Sequence, residues 1–179
     1  MPQKKRAVFL DRDGVLNKSI GNRPPNDRSE LVLFPGVPQA VAELNQAGFL
    51  VFVVTNQGGV GLGYMTAEDL AGIHAKLAQE VAGAGGHFTE IMACTHKPKS
   101  GCPCRKPKPG MLLTLAEKYD VDLPRSFMVG DRDMDIAAGK AAGTKTILIA
   151  SDEKTEQVPD YTCPDLFTAS GFLKDCIES

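Results

Sequence analysis

Residues 7–17 read A-V-F-L-D-R-D-G-V-L-N: four apolar residues, two aspartates around an arginine, then a glycine. An apolar run this short that meets charge at once suits a strand buried on both faces, with a polar cluster at its carboxyl end. The pattern recurs along the chain. F-L-V-F-V-V at 49–54 leads into Thr55 and Asn56, F-M-V-G at 127–130 into Asp131, and T-I-L-I-A occupies 146–150. Ile91, Met92 and Ala93 end a further run that enters a loop rich in Cys, His and Lys. Helical patterns lie between these runs. Val37, Val41 and Leu44 share a face that should stop at Gly48. Leu70, Ile73, Leu77 and Val81 follow Thr66 and Asp69, an N-cap pair. Leu112, Leu115, Ala116 and Tyr119 follow Pro109 and Gly110, a small-residue helix ends at Gly143, and a last helix runs from about Thr168 to Ile177. Alternating strands and helices predict a three-layer α/β sandwich with a mainly parallel central sheet, and such sheets place ligands outside the carboxyl ends of their strands.

The chain has 179 residues, 42% hydrophobic and 23% charged, which suits one core, and a single domain over 1–179 is expected. Twenty basic and 22 acidic residues leave a net charge of -2, so the total advertises no nucleic-acid or anionic-membrane surface. No apolar stretch approaches the ~18 residues of a membrane span, and Ala7 to Leu10 is too short for a signal-peptide core. A cytoplasmic monomer is the expectation, in a compartment where cysteine clusters hold metal more often than they pair. The longest loops expected are 17–35, 94–109 and 151–165.

Asp11 and Asp13 leave one strand, and Asp131, Asp133 and Asp135 stand in G-D-R-D-M-D after another. Taken alone, a D-x-D at a strand end is more often a cap or turn. If the two strands are neighbours, Asp11, Asp13 and Asp131 converge, and carboxylates so close call for a hard, oxygen-loving ion such as Mg²⁺. Lys106 lies in C-R-K-P-K-P-G, stiffened by Pro107 and Pro109. Mg²⁺, Lys106, Thr55 and the amides near Arg12 and Asn56 would supply the stabilisation that phosphoryl transfer needs, although solvating a loop is a lysine's commoner fate. One aspartate can then attack phosphorus while the carboxylate two residues on serves as acid and base.

Cys94, His96, Cys102 and Cys104 fall in C-T-H-K-P-K-S-G-C-P-C. Three thiolates and an imidazole make a closed set for structural Zn²⁺, although the gaps are tighter than the usual finger spacings, and free thiols or an occasional disulfide remain alternatives. Cys163 and Cys176 read as buried bystanders, and His74 and His87 as surface or packing residues. Lys97, Lys99, Arg105, Lys106 and Lys108 form a basic run without interleaved aromatics, which a phosphorylated small substrate explains at least as well as nucleic acid.

D-R-D-G-V-L-N at 11–17, T-N-Q at 55–57, C-R-K-P-K-P-G-M at 104–111 and G-D-R-x-x-D at 130–135 together resemble the haloacid dehalogenase (HAD) superfamily of phosphatases, in its histidinol-phosphate and heptose-bisphosphate phosphatase branch. The resemblance implies a Rossmann-like sheet without a large cap domain. It implies Mg²⁺ held by Asp11, the backbone carbonyl of Asp13 and Asp131, with Asp11 as nucleophile and Asp13 as general acid and base. It also implies phosphoryl contacts from Thr55 and Lys106, a substrate contact from Arg105, a supporting role for Asp135, and a zinc loop over 94–104. Arg12, Asn56 and Gln57 complete the expected substrate contacts.

Within the branch, Asn17 and the full C-R-K-P-x-P-G-M resemble the heptose-bisphosphate 7-phosphatases. G-G-V-G-L-G after T-N-Q departs from their usual pattern, with Gly58 for serine and Leu62 for arginine, and leans toward the histidinol type. The 17–35 segment, an expected flap over the substrate, departs as well. A heptose bisphosphate cut at its primary 7-phosphate is the leading expectation and histidinol phosphate the alternative. A polynucleotide end is a weaker third, and a zinc-organised phosphate-binding module is the non-enzymatic alternative.

Overall fold

The computed structural model describes residues 2–149 and 154–178, so Ala150 and positions 151–153 of the expected 151–165 loop lie outside the described residues. Six strands are described: β1 (Ala7–Leu10), β2 (Leu50–Asn56), β3 (Glu90–Cys94), β4 (Phe127–Gly130), β5 (Lys145–Ile149) and β6 (Tyr161–Cys163). They form one sheet in the order β3-β2-β1-β4-β5-β6, with every pair parallel. The helices are α1 (Val37–Gln46), α2 (Gly59–Leu62), α3 (Ala67–Ala82), α4 (Gly110–Tyr119), α5 (Asp133–Ala142) and α6 (Leu166–Glu178).

Strand side chains alternate between two cores because successive residues point to opposite faces of a sheet. Val8, Leu10, Val51 and Val53 pack with Val41, Ile73, Leu77 and Leu173 on one face. Ala7, Phe9, Phe52 and Val54 pack with Leu112, Leu115, Met128 and Ala138 on the other. Both faces are covered, and the three-layer α/β arrangement is the one expected.

Local signals set the helix ends. Thr66 and Asp69 complete both halves of a capping box before α3, and Gly143 ends α5 with φ +91°. Four differences from the sequence reading stand out. β2 runs on through Thr55 and Asn56 because it pairs with β3 as far as Asn56 opposite Cys94. β6 arises inside the expected 151–165 loop, and α6 begins at Leu166, ahead of the expected Thr168. Cys163 is buried, but Cys176 near the end of α6 is exposed and not a buried bystander.

Candidate active site

β1 lies between β2 and β4, so the carboxyl ends of these strands meet. Asp11 continues β1, and its amide donates to the Val129 carbonyl of β4 at 2.9 Å. Carboxylate oxygens of Asp11, Asp131 and Asp135 all lie within 4.8 Å of one another. The close approach depends on glycine. Gly14 has φ +90°, and a Cβ there would overlap the Asp131 carboxylate, while one at Gly130 would overlap Asp135.

The Lys106 ammonium stands between two of these carboxylates, 2.8 Å from Asp11 Oδ1 and 2.7 Å from Asp135 Oδ1, and it is 2% exposed. Burial presses its pKa down, but Asp11 and Asp135 outweigh burial and hold it above the ordinary lysine value, so it stays protonated. Burial first, and repulsion from Asp135 next, raise Asp11 well above the carboxylate range against the pull of Lys106. Asp131 is raised by the same two causes in the same order. With all three carboxylates ionised, the single Lys106 ammonium between Asp11 and Asp135 would leave an excess of negative charge, and the raised values of Asp11 and Asp131 express that crowding. The oxygen donors and that excess fit a hard divalent cation.

Lys106 is also held through its backbone. Asn56 Nδ2 donates to the Lys106 carbonyl and Asn56 Oδ1 accepts from the Lys106 amide, each at 3.0 Å. This reciprocal amide pair ties the end of β2 to the segment that follows the cysteine loop.

Asp13 stands outside that carboxylate group but lines the same cleft as Asp11 and Asp135. It accepts from Arg12 Nη2 at 3.0 Å, Asn17 Nδ2 at 2.9 Å and Gln57 Nε2 at 2.8 Å. Gln57 Nε2 also donates to Thr55 Oγ1 at 2.8 Å. The Arg12 side chain does not line the cleft. That side chain is 0% exposed and points into the protein toward Asp13 and His74, which leaves only the Arg12 backbone amide for a ligand. Thr55 and Gln57 are buried beneath the cleft, while Asn56, Arg105 and Lys106 line it. Arg105 Nη1 is buried and donates to no partner among the described residues, so it is available to a bound anion or hydroxyl.

Ser19, Asn22, Arg23 and Pro24 of the 17–35 segment line the same cleft. Arg23 grips Glu30 with two bonds of 2.7 and 2.8 Å, and the Asn26 amide donates to Glu30 at 2.8 Å. Arg23 above all, with Asn26, holds the Glu30 carboxyl down to about 2. Arg132 and Met134 also line the cleft and were not singled out by sequence reasoning, although both fall within G-D-R-D-M-D.

Beside the cleft, Cys94, His96, Cys102 and Cys104 bring their ligand atoms together within 4.8 Å. Cys94 Sγ is 3.2 Å from Cys104 Sγ and 3.6 Å from Cys102 Sγ, and His96 Nδ1 is 3.2 Å from Cys104 Sγ. Sulfur atoms about 2.3 Å from one tetrahedral ion stand about 3.7 Å apart, so the set fits zinc. None of these cysteines forms a disulfide. The basic run does not form one patch: Lys97, Lys99 and Lys108 are exposed, while Lys106 is buried in the site.

Comparison with known proteins agrees with this geometry. The HAD-hydrolase-like family model matches residues 103–170. D-glycero-beta-D-manno-heptose-1,7-bisphosphate 7-phosphatases from Pseudomonas putida and Pseudomonas aeruginosa are each 41% identical to this chain. The first aligns over 88% of this chain and 91% of the relative, the second over 81% of both. A D-glycero-alpha-D-manno-heptose-1,7-bisphosphate 7-phosphatase from Burkholderia mallei is 34% identical over 87% of this chain and 85% of the relative. The crystal structure of D,D-heptose 1,7-bisphosphate phosphatase from B. bronchiseptica, complexed with magnesium and phosphate, matches with a TM-score of 0.88 at 36% identity, covering 95% of this chain and 98% of that one. Motifs, fold and relatives converge: the chain belongs to the HAD-like hydrolases, among their phosphatases.

Proposed function

We propose that this single-domain chain removes the 7-phosphate of D-glycero-D-manno-heptose 1,7-bisphosphate by Mg²⁺-dependent phosphomonoester hydrolysis through an aspartyl-phosphate. The observation that carries the reaction is the buried Lys106, held protonated between Asp11 and Asp135 at the floor of a cleft lined in part by the 17–35 segment. The heptose substrate is supported by the names of relatives at 34–41% identity, and the beta anomer by those at 41%. The histidinol-phosphate alternative is not favoured by these relatives.

In this reading Asp11 attacks phosphorus, the ester bond breaks, and Asp13 gives its proton to the departing primary hydroxyl. Asp13 then takes a proton from water, whose oxygen attacks the aspartyl-phosphate and releases inorganic phosphate and free Asp11. Lys106 offsets charge on the moving phosphoryl group, Arg105 contacts substrate, and Asp135 holds Lys106 in place. The Arg12 backbone, Asn56, Gln57 and Thr55 shape the floor beneath. Asp11, the Asp13 carbonyl and Asp131 would hold Mg²⁺, which when bound neutralises charge on the phosphoryl oxygens. Cys94, His96, Cys102 and Cys104 would hold structural Zn²⁺, since four protein ligands leave no open position for chemistry. Cytoplasmic location is part of this reading, because a cysteine cluster suited to metal fits a reducing compartment.

The test is phosphate release with Mg²⁺ from heptose 1,7-bisphosphate and from histidinol phosphate, compared as kcat/KM. A preference of about 100-fold for the heptose, roughly 3 kcal/mol at the transition state, is expected. A preference for histidinol phosphate overturns the substrate assignment.

A further inference from the structure

We infer that His74 is a positioning residue for this reaction, acting through Arg12 to fix the Asp13 carboxylate. The inference rests on the phosphatase reading above, in which Asp13 is the acid and base.

Arg12 meets Asp13 side-on. Nε reaches Oδ1 at 3.3 Å, and Nη2 reaches Oδ1 at 3.0 Å and Oδ2 at 3.3 Å. The remaining nitrogen, Nη1, lies 3.1 Å from His74 Nε2, and the arginine is 0% exposed. A guanidinium has only donors, so Nε2 must be the acceptor, and the imidazole is neutral with its proton on Nδ1. Burial first, and the adjacent Arg12 charge next, lower the His74 pKa to about 4, which preserves this neutral acceptor near pH 7.

His74 sits on α3, whose Leu70, Ile73, Leu77 and Val81 are buried in the core. The helix thus serves as a fixed frame, and His74 is the point where that frame grips the loop after β1. Without it, Arg12 keeps its contacts with Asp13 but has lost the acceptor at its far end. A guanidinium held on one side can then swing, taking its share of the Asp13 orientation with it. Asn17 and Gln57 still donate to Asp13, so the expected loss is partial.

The leaving group supplies a readout that general loosening would not move. Departure of an alkoxide needs the proton of Asp13, whereas nitrophenolate leaves without it. The ratio kcat/KM reports steps up to the first departure. The experiment measures kcat/KM with Mg²⁺ for glycerol phosphate and for p-nitrophenyl phosphate in wild type, His74→Leu, His74→Asn and His74→Gln. Leu removes the acceptor, Asn stops short of Nη1, and Gln carries an amide oxygen to about the place of Nε2. Expected is a fall of about tenfold or more on glycerol phosphate for Leu and Asn, with less than about threefold on the nitrophenyl ester, and recovery of both in Gln. If the Leu variant does not fold, the Asn and Gln pair decides. Equal falls on both esters, or no fall, overturn the inference while leaving the phosphatase reading intact. A wild-type protein inert to both esters removes that reading and the inference with it.

Discussion

The aspartates of the cleft and the cysteines of the 94–104 loop leave the same end of the sheet but are supported differently. Asp11 follows β1 directly, Asp131 follows β4, and Asp135 lies in the first turn of α5. Asp11 and Asp135 are buried behind two packed cores, and Lys106 is buried between them. In the loop only Cys94 is both buried and part of a strand. His96 is exposed, Cys102 and Cys104 are half-buried, and no helix or strand runs between Cys94 and Gly110. A site built on strand ends inherits its geometry from the sheet. A loop without a core of its own needs a cross-link, and bound zinc would provide one.

Four variants would break or sharpen this contrast. Asp11→Asn should lower turnover of p-nitrophenyl phosphate about 10³-fold or more while leaving thermal stability unharmed. Residual activity within tenfold of wild type would remove Asp11 as nucleophile. Lys106→Met should cost about 3–5 kcal/mol in urea unfolding at pH 7, because it leaves Asp11 and Asp135 buried without their cation. Part of that loss should return on acidification, as the facing carboxylates take up protons. Unchanged stability at pH 7 would mean that Lys106 does not hold these carboxylates together.

For the loop, Cys102→Ser should abolish about one equivalent of bound zinc by elemental analysis and lower Tm less than Lys106→Met does. Turnover should fall with it, because Arg105 and Lys106 follow directly. Metal-free wild type with full stability would end the zinc reading. The smallest effect concerns the strand-built side. His74 has a folded pKa of about 4 against an ordinary 6.5, so the unfolded chain takes the proton first as pH falls. Its contribution is therefore complete above about pH 6.5 and lost progressively toward 4, on the order of 2 kcal/mol by pH 5. His74→Gln should remove that part of the pH slope, measured by urea unfolding at several pH values.

The same contrast explains what was legible beforehand. β1, β2 and β4 are nearly unbroken apolar runs, so both the strands and the polar residues at their ends could be read directly. β6 could not. It is three residues, Tyr161–Cys163, of which only Cys163 is buried, too little to set an apolar pattern. α2 is Gly-Val-Gly-Leu with no buried residue, so periodicity had nothing to register. Among site residues, Asp11, Asp131 and Lys106 announced themselves by charge in fixed motifs. The part played by His74 did not, because its partner Arg12 is 62 positions away and only the packing of α3 brings them together. Arg12 gave no signal of this pairing either, because the turn after β1 sends its side chain into the protein while the two flanking aspartates mark the segment only as polar.

The reciprocal Asn56–Lys106 pair has a bearing on how this chain can be lengthened. The stretch from Cys94 to Lys106 is anchored at one end by β3 and at the other by Asn56, and positions 97–101 between them are exposed. Extra residues inserted at that tip would bulge into solvent between two fixed posts, at a closure cost that grows only slowly with length. The tip is therefore a place to graft a lid or a recognition segment onto this scaffold while Lys106 keeps its position over Asp11.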